Sequence, residues 1–339
     1  MKHGAGIYKM AKKLKCKSQE IVDFSSNINA YSQKNNITLT NTELVRYTEN
    51  SYSNLKKVIA KKLTIKKSQI ALYNGATSAI YELIRSLDSK DIYLYAPLYG
   101  EYEVSAKLSN KNIYKIERFK ELFKRPKRNA TVVFVNPSTP DGKYYNLKKL
   151  FKVWEKLNCT IILDESFLEF EALKSFRDEI NSYKKLYIIQ SFTKFYSCAG
   201  VRVGAILSHK KNIKKLKTPL WNLSSFDVKF LTQRLKDSEF EVRSKKSHIK
   251  NKKKLYTILK KSRLFSKIYR SDSNFFLTKS PQAKKIFDTL YKKKILVRTC
   301  GSFDFLSDEY LRFGVKDKAM HKTLKKVLDT ISVTKLKEY

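Results

Sequence analysis

The chain has 339 residues, enough for two domains, and its Lys+Arg 71 against Asp+Glu 31 leaves a formal net charge of +40. The basic residues are spread over the whole length alongside abundant Ile, Asn, Tyr and Phe, a bias of AT-rich coding, so they do not by themselves mark a nucleic-acid-binding protein. No apolar run approaches the roughly 18 residues of a membrane span, the amino terminus lacks the apolar core of a signal peptide, and Cys16, Cys159, Cys198 and Cys300 lack the spacing of a zinc site or a disulfide framework. The expectation is a cytoplasmic protein with no metal, nucleic-acid or membrane partner.

In chain order, residues 1–30 read as an amino-terminal arm with two of the nine glycines, Gly4 and Gly6. Residues 31–225 read as a large α/β domain. Its short, nearly continuous apolar runs Ile70–Tyr73, Ile92–Tyr95, Thr131–Val135, Thr160–Leu163 and Leu186–Ile189 are separated by helix-length segments. That alternation predicts a mostly parallel, buried sheet flanked by helices. Each run ends in polar or Gly/Pro-containing residues: Asn74-Gly75, Ala96-Pro97, Asn136-Pro137, Asp164-Glu165 and Ser191. Ligands of open α/β sheets gather at the carboxyl ends of strands, so these junctions are predicted to line one cleft. Residues 226–339 read as a smaller α+β domain. It opens on a long Lys-rich helix, with Lys245, Lys246, Lys250, Lys252, Lys253 and Lys254 on its wet face, and continues with strands near Asn274–Leu277, Ile295–Val297 and Tyr310–Phe313.

The junctions carry the chemistry. Gly75, Ala76 and Thr77 open a helix bearing Ile80, Leu83, Ile84 and Leu87, and the free amides and dipole of its first turn suit a phosphate. Tyr99 offers an aromatic face. Asp164, emerging from a buried strand, can hold a pyridine nitrogen protonated. Ser191-Phe-Thr193-Lys194, followed by Gly200-Val-Arg202-Val-Gly204, joins a nucleophilic amine to two hydroxyls and a guanidinium fork. That combination reads as an anchor for pyridoxal 5'-phosphate.

Together these residues resemble the fold-type-I pyridoxal-phosphate enzymes of the aminotransferase class I/II group, over essentially the whole chain and in the expected order. Within the group the chain is similar to the histidinol-phosphate aminotransferases and, more closely, to the L-threonine-O-3-phosphate decarboxylases of cobalamin biosynthesis. His3-Gly4-Ala5-Gly6, the segment Asp23-Phe-Ser-Ser-Asn27-Ile-Asn29 and Ile295-Leu-Val-Arg298-Thr-Cys300 carry the second likeness. The resemblance implies that Lys194 holds the cofactor and shuttles the proton, that Asp164 partners the ring nitrogen and that Tyr99 stacks on the ring. It implies phosphate contacts from Gly75, Ala76, Thr77, Ser191, Thr193 and Arg202, and from Tyr47 reaching across a homodimer. It implies substrate contacts from His3, Asn27, Arg298 (phosphate) and Arg312 (carboxylate). Two departures stand out. Thr139, in Ser138-Thr-Pro-Asp-Gly142, replaces an asparagine at the cofactor's phenolic oxygen, and Phe167 replaces the aminotransferases' tyrosine there. The implied reaction is decarboxylation of O-phosphothreonine or O-phosphoserine to CO2 and a phosphorylated amino alcohol. The alternative is an aminotransferase acting on histidinol phosphate or a related phosphorylated amine.

Overall fold

The computed structural model describes residues 6–33 and 36–337. His3, Gly4 and Ala5 lie outside the described residues. In chain order the strands are β1 (Val22–Asp23), β2 (Ile70–Asn74), β3 (Asp91–Ala96), β4 (Asn112–Glu117), β5 (Thr131–Val135), β6 (Thr160–Asp164), β7 (Leu186–Ser191), β8 (Val203–Ser208), β9 (Lys267–Ile268), β10 (Phe275–Lys279), β11 (Ile295–Leu296), β12 (Arg298–Thr299) and β13 (Tyr310–Gly314). The chain divides into two compact units.

The larger unit comprises Ser32–Pro137 and Tyr145–Val242. It holds a seven-stranded sheet ordered β2-β8-β7-β6-β5-β3-β4. Neighbours are parallel except at β8, which runs antiparallel to both β2 and β7. The five apolar runs of the sequence are five of these strands. Their residues are buried, apart from the partly exposed Thr160 and Tyr187, because helices cover the sheet, and Leu94, Val133, Ile162, Ile189 and Ile206 share one core with Ala79, Ile80, Leu83 and Ile84 of the helix Gly75–Ser86. Two strands escaped the periodicity. Edge strand β4 is half buried and reads Asn-Ile-Tyr-Lys-Ile-Glu, too polar to form a run. Strand β8 begins inside the glycine-flanked motif and so reads as loop.

Six of the seven strands point the same way, so Asn74, Ala96, Val135, Asp164 and Ser191 end at one edge of the sheet. The inserted β8 brings a glycine to that edge from the opposite direction: Gly204 is in register with Tyr73 on one side and Ser191 on the other.

The other unit comprises the chain up to Tyr31, Ser138–Tyr144, and Arg243 onward. Its antiparallel sheet is ordered β12-β13-β10-β9. Phe24, Leu255, Leu259, Phe276, Ile286, Ile295, Phe313 and Leu324 form its core. The segment expected as one strand at Ile295–Val297 is divided. Ile295 and Leu296 pair in parallel with Val22 and Asp23 of the arm, whereas Arg298 and Thr299 join β13. Residues 226–242 fall in the larger unit, and the arm through Tyr31 falls with the carboxyl-terminal residues. Among the described residues no helix is long and apolar enough to cross a membrane, and no group of His, Cys, Asp and Glu could hold a metal ion.

Candidate active site

In the larger unit, the first feature at the strand ends is a cradle around Gly75. This residue has φ +78°, a left-handed conformation that only glycine adopts without strain, and it directly follows β2 and starts the helix Gly75–Ser86. Its amide donates to the carbonyl of Arg202 at 3.1 Å, and a Cβ placed on it would lie 2.5 Å from Nη2 of the Arg202 guanidinium. Gly204 is tighter still: a Cβ there would stand 2.3 Å from the amide nitrogen of Ala76. Both glycines therefore permit the close approach that brings a guanidinium to a helix amino terminus, where free amides already favour an anion. The Arg202 amide donates to Asp227 Oδ1 at 2.9 Å, fixing the backbone that carries the fork. Ser191 and Thr193 set their hydroxyls 3.0 Å apart at the end of β7. Thr77 Oγ1 lies 3.3 Å from the hydroxyl of Tyr99.

The second feature is the pair Asp164 and Lys194. Asp164 is buried, and burial raises its pKa against the opposing effect of its donors, the Ser166 side chain first, then the Ser166 amide and Tyr102, and of the Lys194 charge. The Tyr102 hydroxyl donates to Oδ2 at 2.8 Å and the Ser166 amide to Oδ1 at 2.9 Å. Such a carboxylate gains most from a cationic N–H, the group a pyridinium presents. Lys194 is partly exposed, three residues past the end of β7, in a turn closed by the Cys198 amide on the Thr193 carbonyl at 3.2 Å. Tyr99 is partly exposed at the carboxyl end of β3 and contacts Thr77 rather than only the core, and burial raises its pKa. The larger unit thus brings Gly75, Ala76, Arg202 and Gly204 into close approach, with Ser191 in register with Gly204, while Ser191 meets Thr193 and Thr77 meets Tyr99. It couples Asp164 to Lys194 electrostatically. Tyr47 stands apart: it is exposed and stacks on Trp221, the ring centroids 4.3 Å apart.

The remaining candidates belong to the other unit. Arg298 and Arg312 are directly paired across β12 and β13, and both are buried. Burial lowers the pKa of each, to about 10 for Arg312, and pushes that of the intervening Cys300 thiol up to about 11. Arg312 donates to Thr139 Oγ1 at 3.0 Å and to the Ser25 carbonyl at 3.2 Å, while its Nε is buried without a partner. Arg298 donates to Ser302 Oγ at 2.8 Å. Asn27 keeps its Oδ1 buried without a partner, while its carbonyl accepts from Asn274 at 2.8 Å. Thr139, expected at the cofactor's phenolic oxygen, has its hydroxyl on Arg312. Phe167 is buried in the larger unit.

Tyr102, Ser166 and Asp227 went unread in the sequence. Asp227 has a local signature, a capping box with Ser224, but nothing in that box points to Arg202. Tyr102 is one of 21 tyrosines, and its bond to Asp164 is purely tertiary.

A profile of the aminotransferase class I and II family matches residues 19–331. The chain belongs to that family. The first relative, the adenosylcobalamin biosynthesis bifunctional protein CobDQ of Leptospira interrogans, is 28% identical over 97% of this chain, which spans only 40% of that longer protein. The histidinol-phosphate aminotransferase of Flavobacterium johnsoniae is 26% identical over 80% of this chain and 82% of its own. The crystal structure of the histidinol-phosphate aminotransferase from Clostridium acetobutylicum superposes with a TM-score of 0.78 at 28% identity, covering 92% of this chain and 99% of that one. The fold is therefore the α/β fold-type-I architecture, and the cofactor of this class I/II enzyme is pyridoxal 5'-phosphate. The residues present fit it. The close approach of the Arg202 guanidinium to the helix amino terminus, which a Cβ at Gly75 or Gly204 would obstruct, suits a phosphate, and the buried Asp164 suits a ring N–H. When bound, the cofactor supplies an electron sink for bonds broken at the substrate's α-carbon.

Just past β6 the larger unit carries two further acids of raised pKa. Burial raises the pKa of Glu165 and of Glu169 to about 7. Glu169 is partly exposed as a residue, but its Oε2 is buried and unpartnered. Its Oε1 accepts from Gln190 Nε2 at 2.7 Å, and Gln190 Oε1 is likewise buried without a partner. One proton on Glu169 Oε2 would turn one of these unpartnered acceptors into a donor. Arg177 offsets the rise at both acids; Glu165 and Glu241 add to it at Glu169. A folded-state pKa above that of the unfolded chain means that the native state holds protons the unfolded state has released. Stability should therefore fall as pH rises from about 4.5 to about 7 and level off above that window. His321, lowered by burial to about 4, acts in the opposite direction up to its unfolded value near 6.5. The comparison that isolates the acid is Glu169→Gln, which mimics the protonated form. Urea unfolding at several pH values should show a shallower decline with pH for this variant, and identical slopes would refute the assignment.

Proposed function

We propose that this enzyme transfers the amino group of a phosphorylated amine, with histidinol phosphate as the first candidate. The observation that carries the reading is the cross-strand pair Arg298 and Arg312. Like charges placed directly opposite on neighbouring strands destabilise a sheet, and burial sharpens the cost, so the pair makes sense as a binding site for anions. Guanidinium forks suit phosphate and carboxylate oxygens, the groups carried by a phosphorylated amine and by an amino-acid donor. Similarity to histidinol-phosphate aminotransferases along most of both chains supports this reading over decarboxylation, the first expectation from the sequence. In this proposal Gly75, Ala76, Thr77, Ser191, Thr193 and Arg202 bind the cofactor phosphate. Asp164 holds the ring proton, Tyr99 packs on the ring, and Lys194 moves the α-proton. Arg298 takes the substrate phosphate and Arg312 an α-carboxylate.

A phosphoamino-acid decarboxylase is the second reading. Similarity to a cobalamin-biosynthesis protein over 97% of this chain favours it, as does Phe167, which offers no hydroxyl. The test is incubation of the holoenzyme with histidinol phosphate plus 2-oxoglutarate and, separately, with O-phosphothreonine, following keto-acid exchange and CO2 together. Amino transfer from histidinol phosphate without CO2 is expected, and Arg312→Ala should impair the 2-oxoglutarate half-reaction while sparing the histidinol-phosphate half. Release of CO2 from O-phosphothreonine with no keto acid required would reverse the order of the two readings.

A further inference from the structure

The unit that carries Arg298 and Arg312 buries a third cation. Lys316 lies two residues past β13 and is only 6% exposed. Its Nζ donates to the carbonyl and to Oγ of the same residue, Ser26, both at 3.1 Å. Burial lowers its pKa; the Arg312 charge lowers it further, and Asp23 and Asp317 oppose. An ammonium is an expensive way to satisfy one serine, since a neutral donor would do it without desolvating a charge.

What Lys316 grips explains the expense. Ser26 sits in a turn tied at every residue. Asp23 Oδ1 accepts from the Ser25 amide at 2.8 Å and from Ser25 Oγ at 2.6 Å, the Gly314 amide donates to the Phe24 carbonyl at 2.7 Å, and Arg312 holds the Ser25 carbonyl. Gly314 lets the turn approach, because a Cβ there would stand 2.5 Å from the Ser26 carbonyl oxygen. Two cations, Arg312 and Lys316, thus hold consecutive carbonyls of the turn immediately before Asn27, whose Oδ1 is buried without a partner, as is Arg312 Nε. An acceptor and a donor held ready in this way suit a ligand carrying both an N–H and an anionic oxygen.

We propose that Lys316 is a positioning residue that fixes the Ser25–Asn27 turn, and with it Asn27 and Arg312, for an anionic amino substrate. The inference rests on the reading of this unit as the anion-binding part of the enzyme. Lys316 fixes the turn by charge-assisted bonds, and its positive charge adds to that of the two arginines.

The test uses the full-length holoenzyme and the variants Lys316→Met and Lys316→Arg, with Ser26→Ala as the milder disruption of the same contact. Three quantities are measured: hydrogen exchange of the peptide spanning residues 23–29, the affinity for inorganic phosphate by calorimetry, and KM and kcat for the phosphorylated substrate. Lys316→Met should speed exchange in that peptide, weaken phosphate and raise KM by about tenfold or more, with kcat changed far less. Lys316→Arg should restore all three, and Ser26→Ala should shift them in the same direction by a smaller factor. Unchanged exchange in Lys316→Met, or a loss confined to kcat, would overturn the proposal. If the wild-type enzyme turned over no phosphorylated substrate, the underlying reading would fall, and exchange and phosphate affinity would still decide the role of Lys316.

Discussion

Lys194→Ala should leave an enzyme that no longer fixes its cofactor covalently and has lost activity by at least about a thousandfold, the scale expected when a proton-transferring group and covalent anchor is removed. Lysine is abundant in this chain, so the claim needs more than residue type. Lys194 follows β7 in a turn closed on Thr193, and its charge acts on the buried Asp164 that would hold the ring nitrogen. After borohydride reduction of the wild-type holoenzyme, mass spectrometry should place the cofactor on the peptide containing Lys194. A label on any other lysine would sink the assignment. The variant should still bind the cofactor without a covalent link, because the cradle at Gly75 and Arg202 is untouched.

Gly204→Ala should damage the cradle as severely from the opposite side. The added methyl would stand 2.3 Å from the Ala76 amide nitrogen and 2.5 Å from the Gly75 carbonyl carbon. These are backbone atoms at the junction of β2 and the helix, pinned by the register of β8 between β2 and β7, and cannot give way as a side-chain tip can. Overpacking of this kind costs about 3 kcal/mol, at the upper end of measured small-to-large changes. Gly200→Ala is the control, since a Cβ at Gly200 meets nothing within 4 Å. Thermal unfolding should separate the two variants clearly, and cofactor retention should fall only in Gly204→Ala. Equal behaviour of both would show that the close approach at Gly204 is not needed.

These two residues also mark how far the sequence could be read. Buried parallel strands announce themselves as continuous apolar runs, and their polar ends announce where ligands gather. That is why the sequence alone places Asn74-Gly75, Asp164 and Ser191 at one edge. The antiparallel β8 could not be seen, because pairing between β2 and β7 is a tertiary fact and its first residues belong to the Gly-Val-Arg-Val-Gly motif. Gly204 was therefore legible as a special position but not as the residue that meets Ala76. The same limit hid Tyr102, and it hid Lys316, which in so lysine-rich a chain looks like any surface cation until its burial is known. Arg298 and Arg312 were legible only through resemblance; that they face one another across two strands is a matter of register.

The pairing of β1 with β11 has a consequence for synthesis. Val22 leaves the ribosome well before its partner Ile295. About 270 residues separate them, which at roughly 5–20 residues per second amounts to some 15 to 55 seconds of translation. The larger unit ends at Val242 and can fold during that interval, whereas Phe24, Ile21 and Met10 must wait exposed for Phe313 and Leu296. The arm is thus an apolar segment that needs chaperone cover during translation, and shortening it should speed the appearance of protease-resistant nascent chains.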